Sequence, residues 1–382
     1  MTGQVCRLGV YDESIPDMQF DATGKSNYAE LFEKLVEAYP RGEDGMQFWQ
    51  STVRQIKKAG KSKRYDCIIG VSGGTDSCYL LHLAKEWGLR PLAVNLDNGW
   101  NSDISVKNIL KMTSDLDIDL ETYVINYEEV KDLLKSYMMA GLSWIDIPTD
   151  LAIKSVLYKI ANREGIKYIL RGNDFRSEGS QPKDWTYGDG KQLEAVHNRY
   201  GKVKLKTFPN YTISNLIYYA FIKRIKSIYP FYYIDYDKQS AQKLLTEKYD
   251  WEYYGGHHHE NIFTKFTMSY WLYEKFGIDK RIITLSAQVL NKVITREEAL
   301  IEISNLPYEV EKVEGMLAYV CKKLDLTLDE FETLFKNQNK TYRDYPSYSN
   351  LLLKLNTLFE WIIPKLFLHR PQSMYRKEII GS

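Results

Sequence analysis

The sequence predicts an α/β fold, a doubly wound parallel sheet with helical additions before and after it. Three observations in the 382-residue chain carry that prediction. The stretch Asp66 to Ser77, DCIIGVSGGTDS, runs an apolar strand straight into a glycine turn and a helix start. From Asp66 to about Leu170, short apolar runs alternate with segments of helical period, the pattern of a parallel sheet covered on both faces. Before Asp66 and beyond Asp237, apolar residues recur mainly with helical spacing.

Residues 1–30 are polar, with turn signals at Asp12, Pro16, Asp21 and Gly24. Asn27 to Tyr39 sets Leu31, Leu35, Val36 and Tyr39 on one helical face, and Met46 to Lys58 is a second helix. A basic linker, Lys57 to Arg64, leads into the first strand, Cys67 to Val71. The helix Cys78 to Trp87 follows, with Leu80, Leu81 and Ala84 on one side. Pro91 to Leu96 is the second strand, Asp103 to Met112 a helix, Thr122 to Asn126 the third strand and Glu128 to Ala140 a helix. Thr149 or Asp150 caps a helix through Asn162, Gly165 ends it, and Ile166 to Leu170 is the fourth strand.

Residues 175–210, rich in Gly, Ser, Asp and Lys, read as a long irregular stretch, a functional lid or a disordered insert. Asn210 to Ile228 reads as an aromatic helix, Pro230 to Ile234 as a last strand, and Asp237 to Tyr249 as a helix. Thr295 to Glu298 and Thr327 to Glu330 are capping boxes that open further helices. Leu351 to Leu368 is apolar but interrupted by Lys354, Glu360, Pro364 and Lys365, so it reads as a core or interface helix rather than a membrane span. Three parts result: an N-terminal segment (1–60), a nucleotide-binding sheet domain (61–236) and a mostly helical C-terminal region (237–382).

Lys and Arg (51) nearly balance Asp and Glu (50), so no global field favours nucleic acid or anionic lipid. Cys6, Cys67, Cys78 and Cys321 lack CxxC spacing, which argues against a disulfide framework and for a reducing cytoplasm. No secretory leader is apparent at the N-terminus.

The chemistry centres on Ser72 to Ser77. Gly73 and Gly74 let the backbone approach an anion, the helix start supplies free N–H groups, and Ser72, Thr75 and Ser77 add hydroxyls. Asp76 would repel phosphates unless a cation lay between them, which points to a Mg²⁺-bound triphosphate with Asp76 on the metal. In an open parallel sheet the ligand sits at the carboxyl ends of the strands, which brings the 72–77 loop together with Asp97 to Trp100 and Arg171 to Asp174. Asp97 then contacts the ribose or the adenine amino group, or holds a metal; its plain alternative is a turn residue. Gly172 and Asn173 lie over the nucleotide. Farther on, Trp251 to Glu260 contains GGHHHE. Three consecutive histidines cannot all face one metal, so His258 and Glu260 read as sugar-binding or proton-moving groups, against a loop of solvated histidines. Phe263-Thr264-Lys265 and Asp279-Lys280-Arg281 offer cations that could face a departing pyrophosphate, and Lys265 and Arg281 are assigned that role.

SGGTDS resembles the pyrophosphate loop of the ATP pyrophosphatases (the PP-loop superfamily), as in the synthetase domains of GMP, asparagine and NAD synthetases. Together with LDNGW, GGHHHEN, and FGIDKR followed by ITREEA, it makes the chain from about Tyr11 to Leu300 similar to the N-acetyl sugar amidotransferase family. That resemblance implies a PP-loop fold and an ATP- and Mg²⁺-dependent ligase of surface polysaccharide (lipopolysaccharide, O-antigen) pathways. Its reaction turns the acetamido group of a nucleotide-linked sugar into an acetamidino group through an adenylated intermediate and ammonia. Separate glutaminase-type proteins supply the ammonia, and the apolar C-terminal helix suits a homodimer. The family opens with paired cysteines suited to zinc; here Cys6, Gly9, Ser26 and Ala29 stand at those places, so no zinc is expected. Two rivals remain: a PP-loop ligase or thiolase acting on RNA, disfavoured by the neutral charge and missing CxxC, and a non-catalytic ATP-binding module.

Overall fold

The computed structural model describes residues 3–256, 259–358 and 370–381. Five strands, β1 (Cys67–Gly70), β2 (Pro91–Asp97), β3 (Leu120–Val124), β4 (Tyr168–Leu170) and β5 (Lys226–Ile228), form one all-parallel sheet in the order β3-β2-β1-β4-β5. The chain winds outward from β1 to β3 and then returns to the other side of β1. The strand order therefore reverses between β1 and β4, where their carboxyl ends leave a crevice.

Side chains alternate across the sheet. Cys67 and Ile69 of β1 enter one core, while Ile68 enters the other. The first core packs beneath α1 (Asn27–Ala38), α2 (Gly42–Gly60), α3 (Thr75–Glu86) and α4 (Asp103–Asp115). The opposite core is built against α5 (Tyr127–Met139) and α6 (Ile147–Arg163). Ser26, Ser102 and Asn126 each cap the helix that follows, accepting from Ala29, Ser105 and Glu128 N–H groups, a contribution of about 1 kcal/mol apiece. Cys67 and Cys78 are fully buried packers, and burial pushes the Cys78 thiol up to about 12.

Several boundaries depart from the sequence reading. Asp146, rather than Thr149 or Asp150, precedes the first turn of α6, and Pro148 inside that turn helps to start it. The segment read as irregular contains α7 (Phe175–Glu178), α8 (Lys183–Thr186) and α9 (Gly190–Tyr200). Asp189 caps α9 through Lys191 and Gln192 N–H, and α9 buries Leu193 and Val196. The expected helix over 210–228 stops after α10 (Ile213–Ile217) and a π turn at Tyr218–Ile222; its end, Lys226–Ile228, is the fifth strand. Pro230–Tyr232, expected as that strand, is a 3₁₀ turn, because proline cannot donate to a ladder and fixes φ.

Downstream come α11 (Lys238–Tyr249), α12 (Ile262–Phe266) running into a π-helical segment Thr267–Lys275, and α13 (Arg281–Leu290). α14 (Arg296–Ser304), α15 (Val310–Lys323), α16 (Leu328–Lys336), α17 (Ser349–Leu358) and α18 (Gln372–Ile379) follow. Both capping boxes form as read, Thr295 with Glu298 and Thr327 with Glu330. The apolar stretch beyond 358 lies outside the described residues as far as 369. Among the described residues no helix is long and apolar enough to cross a membrane.

The N-terminal turn is held by the far end of the chain. Ser26 N–H donates to Cys6 Sγ at 3.4 Å, Val10 N–H donates to Ser286 Oγ at 3.0 Å, and Arg296 Nε donates to the Gly9 carbonyl at 3.0 Å. A side chain at Gly9 would press on Ser286, with a Cβ 3.2 Å from Ser286 Cβ. Tyr11 and Tyr28 pack with ring centroids 5.8 Å apart.

Candidate functional site

The glycine turn sits where β1 ends and α3 begins. Gly73 has φ +79°, and a Cβ there would lie 2.2 Å from the Ser105 carbonyl, so only glycine lets α4 close on the turn. Gly74 precedes α3 and has no side chain to cap it; the Tyr254 hydroxyl takes the Thr75 N–H, which leaves the N–H groups of Asp76 and Ser77 in the first turn. Ser72 N–H donates to Ser77 Oγ at 3.2 Å, and Ser77 Oγ donates to the Gly74 carbonyl at 3.2 Å. Thr75 turns the other way: its buried hydroxyl accepts from Gln242 of α11 at 3.2 Å, so it shapes the loop instead of facing an anion. Trp251 Nε1 and Asn108 Nδ2 both donate to the Gly73 carbonyl, at 3.1 and 3.2 Å.

Asp76 already has a cation beside it. Lys238, the first residue of α11, donates to one carboxylate oxygen at 3.1 Å, and the Tyr236 hydroxyl donates to the other. Burial, the largest single influence, lowers the Lys238 pKa, but the charges of Asp76, Tyr254 and Glu178 and the hydrogen bond to Asp76 together outweigh it and raise the pKa, which holds the ammonium protonated. Glu260 reaches the same loop from the other side, where Ser72 Oγ donates to its Oε1 at 3.1 Å. Tyr254 Oη accepts from Thr75 N–H at 3.2 Å, and burial, then the Glu260 charge, raises its pKa.

A cavity of about 310 Å³ opens at the switch point between β1 and β4. Val71, Val94, Leu96, Val156, Leu157 and Leu170 make an apolar slot on one side, and Ser72, Gly74, Asp76, Ser77 and Glu260 make a polar side. Gly172 closes tightly over the loop: a Cβ there would lie 3.0 Å from the Asp76 carbonyl. Arg171 follows β4 along the same wall, and its Nε is buried with no hydrogen-bond partner among the described residues. At the far end Lys280 lies with its ammonium 3.9 Å from the Trp144 ring centroid. Burial pushes its pKa down to about 8, with Asp150, Glu178 and Asp146 acting the other way.

Seven of the residues picked from the sequence, Ser72, Gly74, Asp76, Ser77, Gly172, Asn173 and Glu260, thus line one cavity. Asp97 does not. Its Oδ1 accepts from Gly99 N–H at 2.8 Å, the turn role, while Asn95, Leu96 and Asn98 line the cavity in its place. Lys265 and Arg281 line a second groove instead. Arg281 is fully engaged there: it pairs with Asp279 at 2.7 Å and donates to the Glu302 and Asn305 carbonyls at 3.0 and 2.7 Å, tying α13 to the end of α14. His258 lies outside the described residues. Sequence reasoning missed Lys238, Trp144, Asp146 and Asp150, and favoured Arg281 over the neighbouring Lys280. Lys280 was within reach of it, since it adjoins Arg281 in the GIDKR segment, but only the helix entry shows which of the two cations turns inward.

Mg²⁺ is ordinarily held by one or two carboxylates together with substrate phosphates and water, and Asp76 and Glu260 beside the glycine turn fit that donor set. Among the described residues no group of three or more His, Cys, Asp or Glu side chains forms a separate metal cage.

Residues 260–359 match the family described as "LPS biosynthesis protein WbpG-like, C-terminal domain". The match begins at Glu260, the residue that reaches the glycine turn. Over 120 residues the chain is 32% identical to the uncharacterized protein MJ1599 of Methanocaldococcus jannaschii, a stretch that covers 31% of this chain and 41% of that relative, so the chain spans less than half of its length. Among solved structures, NMN synthetase from Francisella tularensis is similar at 13% identity and a TM-score of 0.33, covering 74% of this chain and 97% of that one. NH₃-dependent NAD synthetase from Campylobacter jejuni is similar at 13% identity and 0.27, covering 45% and 72%. The U34-tRNA thiolase NcsA from Methanococcus maripaludis is similar at 14% identity and 0.29, covering 77% and 89%.

Proposed function

We propose that this protein is an ATP-dependent, AMP- and pyrophosphate-forming ligase that converts the acetamido group of a nucleotide-linked sugar to an acetamidino group in surface polysaccharide biosynthesis. The observation that carries the nucleotide half is the start of α3, where Asp76 and Ser77 face with Ser72 into a cavity that has an apolar slot on one side and a buried ammonium at its end. A triphosphate fits that order of surfaces: base in the slot, β and γ phosphates on the loop, α-phosphate toward Lys280. The WbpG-like match of residues 260–359 supports the sugar half, because that region supplies Glu260, Asn261, Thr264 and Lys280 to the cavity.

The chemistry asks little of the chain beyond positioning and charge. The amide oxygen attacks the α-phosphorus, the bond from that phosphorus to the α–β bridging oxygen breaks, and pyrophosphate leaves with the electron pair. Ammonia then adds to the activated carbon and AMP departs with the former amide oxygen, leaving C=NH where C=O stood. The first-turn N–H groups of Asp76 and Ser77 with the Ser72 and Ser77 hydroxyls would hold the leaving pyrophosphate, and Lys238 would keep Asp76 from repelling it. Mg²⁺ on Asp76 and Glu260 would supply further charge neutralisation. Ammonia would come from a separate glutaminase-type protein.

The test is product analysis by mass spectrometry with Mg-ATP, ammonium and a panel of nucleotide-linked acetamido sugars. AMP, pyrophosphate and an amidine sugar are expected; ADP and phosphate would overturn the adenylation chemistry.

A further inference from the structure

A second cavity, a groove of about 750 Å³, lies on the other side of α12 from the nucleotide cavity. That volume is within the range of about 300–1,000 Å³ typical of small-molecule sites. Lys280 lines both spaces. We propose that this groove is the acceptor chamber of the enzyme, that it takes a phosphate-bearing nucleoside-linked acceptor, and that the Lys280 ammonium contacts the nucleotide's α-phosphate on one side and the acceptor's attacking oxygen on the other. The inference rests on the AMP-forming reading above and goes beyond it by naming where the second substrate enters and which residue the two substrates share.

Lys280 is only 9% exposed, yet no carboxylate lies within ion-pair distance of it among the described residues. The acidic groups nearest to it in effect are committed elsewhere: Asp150 accepts from Trp144 Nε1 at 2.7 Å, and Asp146 accepts from Thr264 Oγ1 at 2.5 Å. A buried ammonium whose described neighbour is an aromatic face is costly to keep, and a ligand oxygen would complete it. Depression of its pKa to about 8, caused first by burial, agrees with that geometry. Helix α12 divides the two spaces residue by residue, with Thr264 facing the nucleotide cavity and Lys265 the groove.

The groove's own surface selects the ligand class. Lys265 has no carboxylate within ion-pair distance among the described residues, and Lys312 across from it shares Glu309 at the rim. Tyr308 and Tyr319 also line the groove, with the Tyr308 ring packed 5.6 Å from Tyr270 and the Tyr319 ring 6.1 Å from Trp100. Two ammonium groups beside aromatic rings suit a diphosphate joined to a base. With the acceptor so placed, its oxygen lone pair forms the bond to the α-phosphorus while the α–β bridging oxygen leaves as pyrophosphate. Lys280 donates hydrogen bonds to the oxygens whose charge changes and keeps its proton throughout.

The test is lysine acetylation by N-hydroxysuccinimidyl acetate at pH 8, read peptide by peptide by mass spectrometry on the full chain. The probes are α,β-methylene-ATP for the nucleotide cavity and UDP-N-acetylglucosamine for the groove. Each probe alone should slow Lys280 acetylation by about tenfold or more, and only the UDP sugar should protect Lys265 to that degree. Protection of Lys265 by α,β-methylene-ATP alone, or no protection of Lys265 and Lys280 by the UDP sugar, would overturn the two-chamber assignment. The variant Lys280→Met provides a second readout: wild-type or higher Tm with pyrophosphate release slowed about 100-fold supports the shared contact. A lowered Tm with unchanged turnover per folded molecule would refute it. If wild type forms ADP instead, the AMP-forming reading fails while the protection pattern still reports where each ligand sits.

Discussion

Breaking the Asp76–Lys238 pair should separate its structural cost from its catalytic role. The ammonium donates to the carboxylate at 3.1 Å, and the two side chains are 20% and 28% exposed. At an effective dielectric constant of about 20, two charges at that distance attract by about 5 kcal/mol, and the partial exposure cuts the net coupling to about 3 kcal/mol. Asp76→Asn leaves Lys238 charged without its partner, although an Asn oxygen can still accept from Tyr236. Lys238→Met leaves the carboxylate alone instead. Each single change should cost about 2–3 kcal/mol in urea unfolding, whereas the double variant should cost only about 2 kcal/mol, because no unpaired charge remains. All three should lose pyrophosphate release by about 100-fold or more, since each disturbs the charge beside the leaving group. Additive stabilities, to within about 0.5 kcal/mol, would refute the pairing. A Lys238→Met enzyme with unchanged turnover would show that the metal alone neutralises Asp76.

Gly73→Ala combines a left-handed φ of +79° with a Cβ 2.2 Å from the Ser105 carbonyl, so α4 must shift; a loss of about 3 kcal/mol or more and of measurable ATP binding is expected by calorimetry. Gly255→Ala, at φ +91° with open space around it, should cost only about 1–2 kcal/mol and serves as the control. Arg281→Ala should lower stability by about 2–3 kcal/mol while ATP affinity stays within about twofold, the opposite of what a pyrophosphate contact would show. Glu260→Gln should tighten binding of Mg²⁺-free ATP, by removing a carboxylate from the phosphate loop, and flatten the Mg²⁺ dependence; equal affinities across a Mg²⁺ titration of both proteins would contradict this. For Lys280, burial lowers the pKa from 10.5 to about 8, so the unfolded chain binds the extra proton between those values and stability contributed by this group rises with pH across that window. Lys280→Met should therefore be more stable than wild type below pH 8, by on the order of 2–3 kcal/mol, with the advantage shrinking toward pH 10.5; a constant difference would mean that Lys280 does not titrate there.

How much of the site was legible depended on how local its physics is. The strand, glycine turn and helix start of 67–86 are specified within a few residues, by an apolar run, two glycines and a helical period, and they fold as read. Glu260 was picked for the right cavity with a different neighbour in view: the sequence suggested a sugar or a proton, and the structure puts it against Ser72. Asp97 looked functional because it ends a strand at the ligand edge, but a strand end alternates its side chains, and Asp97 turns to its own backbone at Gly99. Between 175 and 228 glycine and aromatic content misled, because short helices fixed by a single Asp cap and a three-residue edge strand leave almost no periodic signal.

The sequence by itself determined the class of the fold, the strand, glycine turn and helix start of 67–86, and the helix starts at Thr295 and Thr327. Each of these is a pattern closed within one or two turns of chain. Only the tertiary structure decided which charges meet. Asp76 is linked to Lys238 across 162 residues, Ser72 to Glu260 across 188, and Lys280 comes to Trp144 and two cavities through the packing of α13 against α7 and of α12 against α15. Coulombic and hydrogen-bond partners are set by distances of a few ångströms in space, and a linear order of residues holds no record of those until the chain is packed.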